Sequence, residues 1–137
     1  MLLVNARAGV SRIHGIGLIA REFIPRGASI WEYRPGFDLE LPDDLVRILS
    51  GPAQEQVFWY AYYDLTQRVY VLSADDDRFT NHADDPNTTN EGKAVTFATR
   101  DILPGEEITW DYRPWGGLLA DEKAAFVGGS PLILPHR

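Results

Sequence analysis

The stretch from Asp75 to Asn90 reads DDDRFTNHADDPNTTN, and it decides how the rest of the chain is interpreted. Pro86 disfavours helical backbone at the preceding residue, and the Asn and Thr residues that follow favour local side-chain to backbone hydrogen bonds over a regular ladder. Phe79 and His82 are nevertheless unusual in a solvated loop. The stretch therefore predicts an irregular loop, neither helix nor strand, that is held against a core or a ligand.

The composition predicts one globular domain. The chain has 137 residues, of which 45% are hydrophobic and 24% charged, and this length is sufficient for a real core. Many short β-rich segments separated by Gly and Pro turns predict a mainly β fold.

The charge balance argues against nucleic acid as a direct partner and against a membrane. Twenty acidic and thirteen basic residues give a net charge of -7, whereas contacts to phosphates require Lys and Arg. The excess of acid is compatible with a basic peptide ligand. The run Asp75 to Asp77, together with Asp84 and Asp85, could attract such a peptide, or it could be a solvated charged face.

Cysteine is absent and there are three histidines, so a disulfide framework, a thiolate zinc site and a cysteine nucleophile are excluded. No metal-ligand spacing is present, and we expect no metal. The apolar run at the N-terminus is too short for a signal peptide, and no run approaches the ~20 residues of a membrane span. We expect a cytoplasmic protein, or a nuclear one if its source is eukaryotic or viral, and not a secreted one.

The pattern along the chain predicts short elements. A helix is expected from Pro42 to Leu49, because Pro and two acidic residues open it, and Gly51 with Pro52 is expected to end it. The aromatic segment Gln54 to Leu65 is interpreted as a strand. Further strands are predicted at residues 2–5, 28–33, 68–73, 93–99 and 106–110, and a second helix at residues 118–126.

Gly15 and Gly17 flank Ile16 near the start of the chain. Two glycines so close together can form a tight hairpin turn or allow the backbone to approach a ligand. A dinucleotide-binding fingerprint would need a third glycine and a following helix, so phosphate binding is not expected.

Three motifs in this order resemble the SET domain family, the S-adenosylmethionine-dependent protein lysine methyltransferases. They are the G-x-G of residues 15–17, the R-F-x-N-H-x-x-x-P-N string of residues 78–87, and the G-E-E-I-T-x-D-Y string of residues 105–112. The first is weak alone, but the other two are specific. The resemblance covers most of residues 5 to 113.

The resemblance implies a β-clip fold of short curved sheets with a C-terminal pseudoknot. It implies one SET domain over residues 1–137, with a variable insert at 35–74 that shapes the peptide groove and a C-terminal segment at 113–137. It also implies that S-adenosylmethionine is the cofactor. The residues that it implies for cofactor binding are His14, Gly15, Ile16, Gly17, Leu18, Arg78, Asn81 and His82.

The resemblance makes Tyr112 the catalytic residue, with Tyr62, Tyr63 and Trp110 at the substrate lysine channel. The lysine amine must lose its proton before it attacks, and its unperturbed pKa is about 10.4. An aromatic channel would disfavour the ammonium form by desolvation. Trp110 stands where the family usually has Phe or Tyr, a position that influences how many methyl groups are added, and its effect on the product is left open.

The chain departs from the family pattern at Ala83 and Asp84, where Ser and Cys often follow Asn-His. In relatives with a cysteine-rich segment after the domain, that Cys helps to bind a structural zinc, and neither the Cys nor the segment is present here. Residues 113–137 would then have to cover the cofactor. Trp115 and Phe126 are candidates for that cover, and core packing is the equal alternative.

The sequence therefore predicts a protein lysine methyltransferase that acts on a basic protein or peptide, histone-like or other. The alternative is a non-catalytic SET-like module that binds cofactor or basic peptide without turnover. Small stand-alone members of the family sometimes act as dimers, so a homodimer remains open.

Overall fold

A computed structural model describes residues 1–64, 66–90 and 95–113. The predicted helix at 118–126 lies outside the described residues. The structure divides into two compact units. The first comprises residues 1–38 and 73–111, and the second comprises residues 39–72 together with Tyr112 and Arg113, within the described ranges.

The described residues form short strands and helices in this order: β1 Ala6–Val10, β2 Ile16–Ala20, β3 Ser29–Glu32, β4 Leu39–Pro42, α1 Asp43–Arg47, α2 Gly51–Tyr60, β5 Tyr62–Asp64, β6 Val69–Leu72, a 3₁₀ helix Asp76–Phe79, β7 Asn81–His82, β8 Thr88–Thr89, β9 Val95–Ala98 and β10 Glu107–Trp110. The prediction of a mainly β fold of short sheets is confirmed. None of the helices in the described ranges is long and apolar enough to cross a membrane.

The first unit contains two sheets. One has the order β1-β2-β10-β7 and the other β3-β9-β8. Strands β1, β2 and β10 are antiparallel neighbours, whereas β7 runs parallel to β10. The almost fully buried apolar side chains of this unit are Leu18, Ala20, Ile24, Ile30, Ile102 and Ile108. Burial of each Leu or Ile side chain contributes about 1.5–3 kcal/mol, so this core stabilises the unit that carries the polar loops.

Strands β1 and β2 form a hairpin, which makes residues 11–15 its loop. Gly15 has a φ of +50°, a conformation that residues with a Cβ rarely adopt. The interpretation of the Gly15–Gly17 segment as a hairpin turn is therefore confirmed.

The second unit is a three-stranded sheet of order β4-β6-β5 with α1 and α2. Its core consists of Val46, Val57, Phe58, Tyr63 and Tyr70.

The prediction of one strand from Gln54 to Leu65 is wrong, because helix α2 occupies Gly51–Tyr60 and only Tyr62–Asp64 is a strand. Gly51 and Pro52 begin this helix rather than ending the previous one, as Pro is favourable in the first helical turn. The Gln54 side chain donates to the carbonyl oxygens of Val46 at 3.0 Å and Leu49 at 3.1 Å. That contact satisfies the C-terminal end of α1 and fixes where α2 starts.

The structure also differs from the sequence predictions at three smaller points. The first strand lies at Ala6–Val10, and residues 2–5 contribute only an isolated bridge from Leu2 to Trp31. Strand β4 was not predicted. The Asp75–Asn90 stretch contains a 3₁₀ helix and the two-residue strands β7 and β8. The prediction that this stretch is neither helix nor strand is therefore wrong.

The acidic run largely has a structural role. Asp75 Oδ2 accepts from the backbone N–H of Leu2 at 2.7 Å, and Asp76 Oδ2 accepts from that of Ala8 at 2.9 Å. Both side chains are partly buried, and hydrogen bonds of this kind offset the cost of removing a carboxylate from water. Asp75 and Asp76 thus attach the 3₁₀ helix to the N-terminal strand region, whereas Asp84 and Asp85 are exposed.

Candidate functional site

Strand β7 brings the Asn-His motif alongside the last strand of the first unit. Asn81 pairs with Thr109 and His82 with Trp110, in parallel register. The N–H of Ala83 continues the ladder by donating to the Trp110 carbonyl at 3.0 Å. Two motifs that are separated by more than twenty residues in the chain are therefore adjacent in the fold.

Asn87 bridges the following loop to the same strand. Its Oδ1 accepts from the N–H of Thr109 at 2.8 Å, and its Nδ2 donates to the carbonyl of Glu107 at 2.8 Å. Thr88 Oγ1 donates to the Thr109 carbonyl at 2.7 Å. Asn87 is 1% exposed, so water cannot readily reach these backbone groups. The side chains of Asn87 and Thr88 therefore satisfy the backbone groups of β10 that a neighbouring strand would otherwise pair with.

The Asn81 amide lies among acceptors. Its Nδ2 is 3.1 Å from Ser11 Oγ, 3.0 Å from the carbonyls of His14 and Ile16, and 2.9 Å from Glu107 Oε1. An amide NH₂ group donates hydrogen bonds whereas the amide oxygen only accepts them. The NH₂ group of Asn81, and not its Oδ1, must therefore face these four acceptors. Within the described ranges, its Oδ1 has no hydrogen-bond partner and is available as an acceptor.

Ser11 and Glu107 hold the hairpin loop. Ser11 Oγ lies 2.8 and 2.9 Å from the two carboxylate oxygens of Glu107 and accepts from the N–H groups of Ile13 at 2.9 Å and His14 at 3.0 Å. A carboxylate accepts only, so the Ser11 hydroxyl donates to Glu107. The hairpin loop, β7 and β10 are consequently joined by one hydrogen-bond network.

His82 lies between two carboxylates. Its Nε2 is 3.2 Å from Asp84 Oδ1, and its Nδ1 is 3.5 Å from Asp111 Oδ1, with 18% of the His82 side chain exposed. A neutral imidazole donates from one nitrogen only, whereas an imidazolium donates from both. Asp111 is the first residue of the D-Y pair, so this contact holds that residue within the first unit.

Arg78 is exposed, and its guanidinium carbon lies 5.2 Å from the centre of the Phe79 ring. Such a cation–π contact is worth about 0.5–1 kcal/mol at an exposed site. It restrains the arginine while leaving its charge accessible to an anion.

Asp77 precedes Arg78 in the 3₁₀ helix. Desolvation, together with a smaller contribution from the nearby Asp75 charge, raises the pKa of Asp77 to about 6. A hydrogen bond from Ser73 Oγ at 2.8 Å opposes this rise. This carboxyl therefore binds its proton in a pH range where an ordinary Asp has lost it.

The other predicted residues occupy varied positions. Leu18 is fully buried in β2, so its side chain belongs to the core, whereas His14, Gly15 and Ile16 are exposed. Trp110 in β10 and Tyr112 just after it are half-buried. Trp115 and Phe126 lie outside the described residues.

In the second unit, the Tyr63 side chain is buried, and its hydroxyl donates to Asp43 Oδ2 at 3.0 Å. Desolvation raises the pKa of Tyr63, and the contact with Asp43 adds to the shift. Tyr62, its neighbour in β5, is half-buried. The assignment of these two tyrosines to a lysine channel stays a prediction.

Ser11, Glu107 and Asn87 had no predicted role. Two of them were visible in the quoted motifs, as the second Glu of G-E-E and the Asn of P-N, but their contacts depend on chain-distant partners. In the part of the chain that the structure describes, no group of three or more His, Asp or Glu side chains could hold a metal ion.

Comparisons with known proteins agree with this arrangement. The SET domain family model matches residues 15–113. The histone-lysine N-methyltransferase SETMAR of Rattus norvegicus is 32% identical in an alignment that covers 72% of this chain and 36% of that protein. The H3 lysine-4 specific histone-lysine N-methyltransferase of Schizosaccharomyces pombe is 31% identical in an alignment that covers 77% of this chain and 12% of that protein.

Among solved structures, a "putative histone methyltransferase" of Plasmodium falciparum has a TM-score of 0.56 at 18% identity and covers 81% of this chain and 95% of that one. At that identity the likeness shows the fold alone. The chain spans about a third or less of the two curated relatives described above. The family match across residues 15–113, which includes all three joined motifs, shows that the chain belongs to the SET domain family.

Proposed function

We propose that this protein transfers a methyl group from S-adenosylmethionine to the side-chain amine of a lysine in a basic protein. The observation that carries this proposal is the Asn81 amide network, which joins the G-x-G hairpin loop, the Asn-His strand and the G-E-E strand in one unit. The names of the relatives, histone-lysine N-methyltransferases, support the reaction class.

The polar groups of the first unit suit the amino-acid end of this cofactor. Asn81 Oδ1 is an acceptor without a partner among the described residues, which fits an ammonium donor. The exposed guanidinium of Arg78 fits a carboxylate. The space beside Gly15 is also open, because a Cβ built there meets nothing within 4 Å. When bound, the cofactor would supply a methyl group made electrophilic by its sulfonium sulfur.

On the acceptor side, we propose that Tyr112 orients the lysine amine. The amine must be neutral to present its lone pair, and desolvation favours the neutral form of a lysine. A hydroxyl that holds the amine in line with the methyl group accelerates the reaction by positioning. The net charge of -7 favours encounter with a basic substrate segment such as a histone tail.

The test is a radiolabelled-methyl transfer assay on histones and other basic proteins, with wild type and Tyr112→Phe compared. We expect label on a substrate lysine with wild type, and a large loss of kcat with Tyr112→Phe at an unchanged Kd for the cofactor. The expected loss is ~100-fold or more, in line with the loss of a positioning group.

Calorimetry with S-adenosylmethionine separates the alternatives. Cofactor binding without transfer to any protein would identify a non-catalytic module. Absence of binding by folded wild-type protein would contradict the cofactor assignment itself.

A further inference from the structure

Gly17 is the second glycine of the G-x-G motif, and its surroundings differ from those of Gly15. A Cβ built on Gly17 would lie 2.2 Å from Glu107 Oε1 and 2.7 Å from Glu107 Cδ. No such contact surrounds Gly15. Gly17 is buried, and its φ lies outside the left-handed region, so its backbone alone would tolerate a side chain.

Strand register explains why Glu107 crosses Gly17. Glu107 pairs with Ile19, and Gly17 lies two residues before Ile19 on the same strand. The two positions are therefore diagonal neighbours on one face of the sheet. The Glu107 oxygen that contacts Ser11 and Asn81, Oε1, is the same atom that lies over Gly17.

We propose that Gly17 must be glycine because the Glu107 carboxylate occupies its Cβ position, and that Glu107 and Ser11 are positioning residues for the hairpin loop. The backbone of His14 in the loop and of Ile16 at the start of β2 is held through Ser11 and Asn81, and both of these side chains contact Glu107. This inference rests on the proposed function in one respect, namely that the hairpin loop binds the cofactor.

This explanation differs from one in which Gly17 lets a ligand approach the backbone. A ligand-approach role predicts that Gly17→Ala is harmful whatever residue stands at 107. The steric role predicts that its harm depends on the Glu107 side chain, because removal of the carboxylate empties the space.

The experiment is a double-mutant cycle with Gly17→Ala, Glu107→Ala and the double variant. Gly9→Ala is the matched control, since Gly9 is the cross-strand partner of Gly17 and its built Cβ would meet Ile19 Cγ1 at 2.8 Å rather than Glu107. Glu107→Asp, which shortens the side chain by one methylene and keeps its charge, serves in the same cycle if Glu107→Ala does not fold.

Three quantities are measured for each variant: the thermal midpoint without cofactor, the KM for the cofactor and the KM for a peptide substrate. In the wild-type background, Gly17→Ala should raise the cofactor KM roughly tenfold or more and leave the peptide KM unchanged. In the Glu107→Ala background, it should change the cofactor KM by less than about twofold, because contacting residues are non-additive. Gly9→Ala should have the same effect in both backgrounds.

Equal losses from Gly17→Ala in the two backgrounds would overturn the proposal, as would a peptide KM that rises in parallel with the cofactor KM. A failure of the proposed function gives a different result. If wild type bound no cofactor, the thermal midpoints alone would still show or refute the coupling between positions 17 and 107.

Discussion

Replacement of Asn87 by alanine should destabilise the first unit strongly. The substitution removes the acceptor of the Thr109 N–H and the donor to the Glu107 carbonyl, each at 2.8 Å. Thr109 is 7% exposed, so water cannot readily replace the lost amide. Leaving a buried polar group without a partner costs about 1–3 kcal/mol, and two such groups give an expected loss of roughly 3–5 kcal/mol.

That loss is a large fraction of the free energy of unfolding of a typical domain, which is about 5–15 kcal/mol. It is measured by urea unfolding monitored by tryptophan fluorescence, with the free energy of unfolding extrapolated to water. Asn5→Ala is the matched control, because Asn5 is exposed and surface substitutions of this kind usually change stability by less than about 0.5 kcal/mol. A loss below about 1 kcal/mol for Asn87→Ala, or one equal to that of the control, would refute the assigned role of Asn87.

Two further predictions concern titratable groups. The pKa of Asp77 rises from 3.8 to about 6 on folding, so the folded protein retains a proton that the unfolded chain has released, and stability from this carboxyl is lost as the pH rises through that interval. The thermal midpoint of the wild type should therefore decrease as the pH rises from about 4 to about 6, and Asp77→Asn should reduce this decrease. The same decrease in Asp77→Asn and wild type would contradict the raised pKa of Asp77. In the second unit, Tyr63→Phe removes the hydrogen bond to Asp43 and should cost about 1–3 kcal/mol in urea unfolding. Tyr70→Phe should be neutral or stabilising, because the Tyr70 hydroxyl is buried without a partner within the described ranges; equal losses for the two variants would contradict this distinction.

Local signals predicted many of the elements. Strands β6, β9 and β10 lie where β-branched and aromatic residues predicted them, and helix α1 lies within the predicted segment. The aromatic residues after Gly51 were misinterpreted, because β propensity depends strongly on context. Here Pro52 in the first turn of α2, and the contact of the Gln54 side chain with the end of α1, favour a second helix, α2, directly after α1.

The site was predictable in its motifs and not in its internal contacts. The family resemblance implied a C-terminal pseudoknot, but the contacts of Ser11 with Glu107 and of Asn87 with Thr109 join residues far apart in the chain. No periodicity encodes such contacts. Asp75 and Asp76 show the same limit, because their charge alone suggested solvent or a basic ligand, whereas their partners are backbone N–H groups.

We propose that the Asn81 network forms part of a cofactor-binding site. Isothermal titration of S-adenosylmethionine into wild type and Asn81→Asp tests it most directly. The aspartate would place a second carboxylate beside Glu107 and face four acceptors with no donor. We predict saturable binding by wild type and its loss in an Asn81→Asp variant that keeps its circular dichroism spectrum. Undiminished binding by Asn81→Asp, or no binding by folded wild type, would contradict the claim.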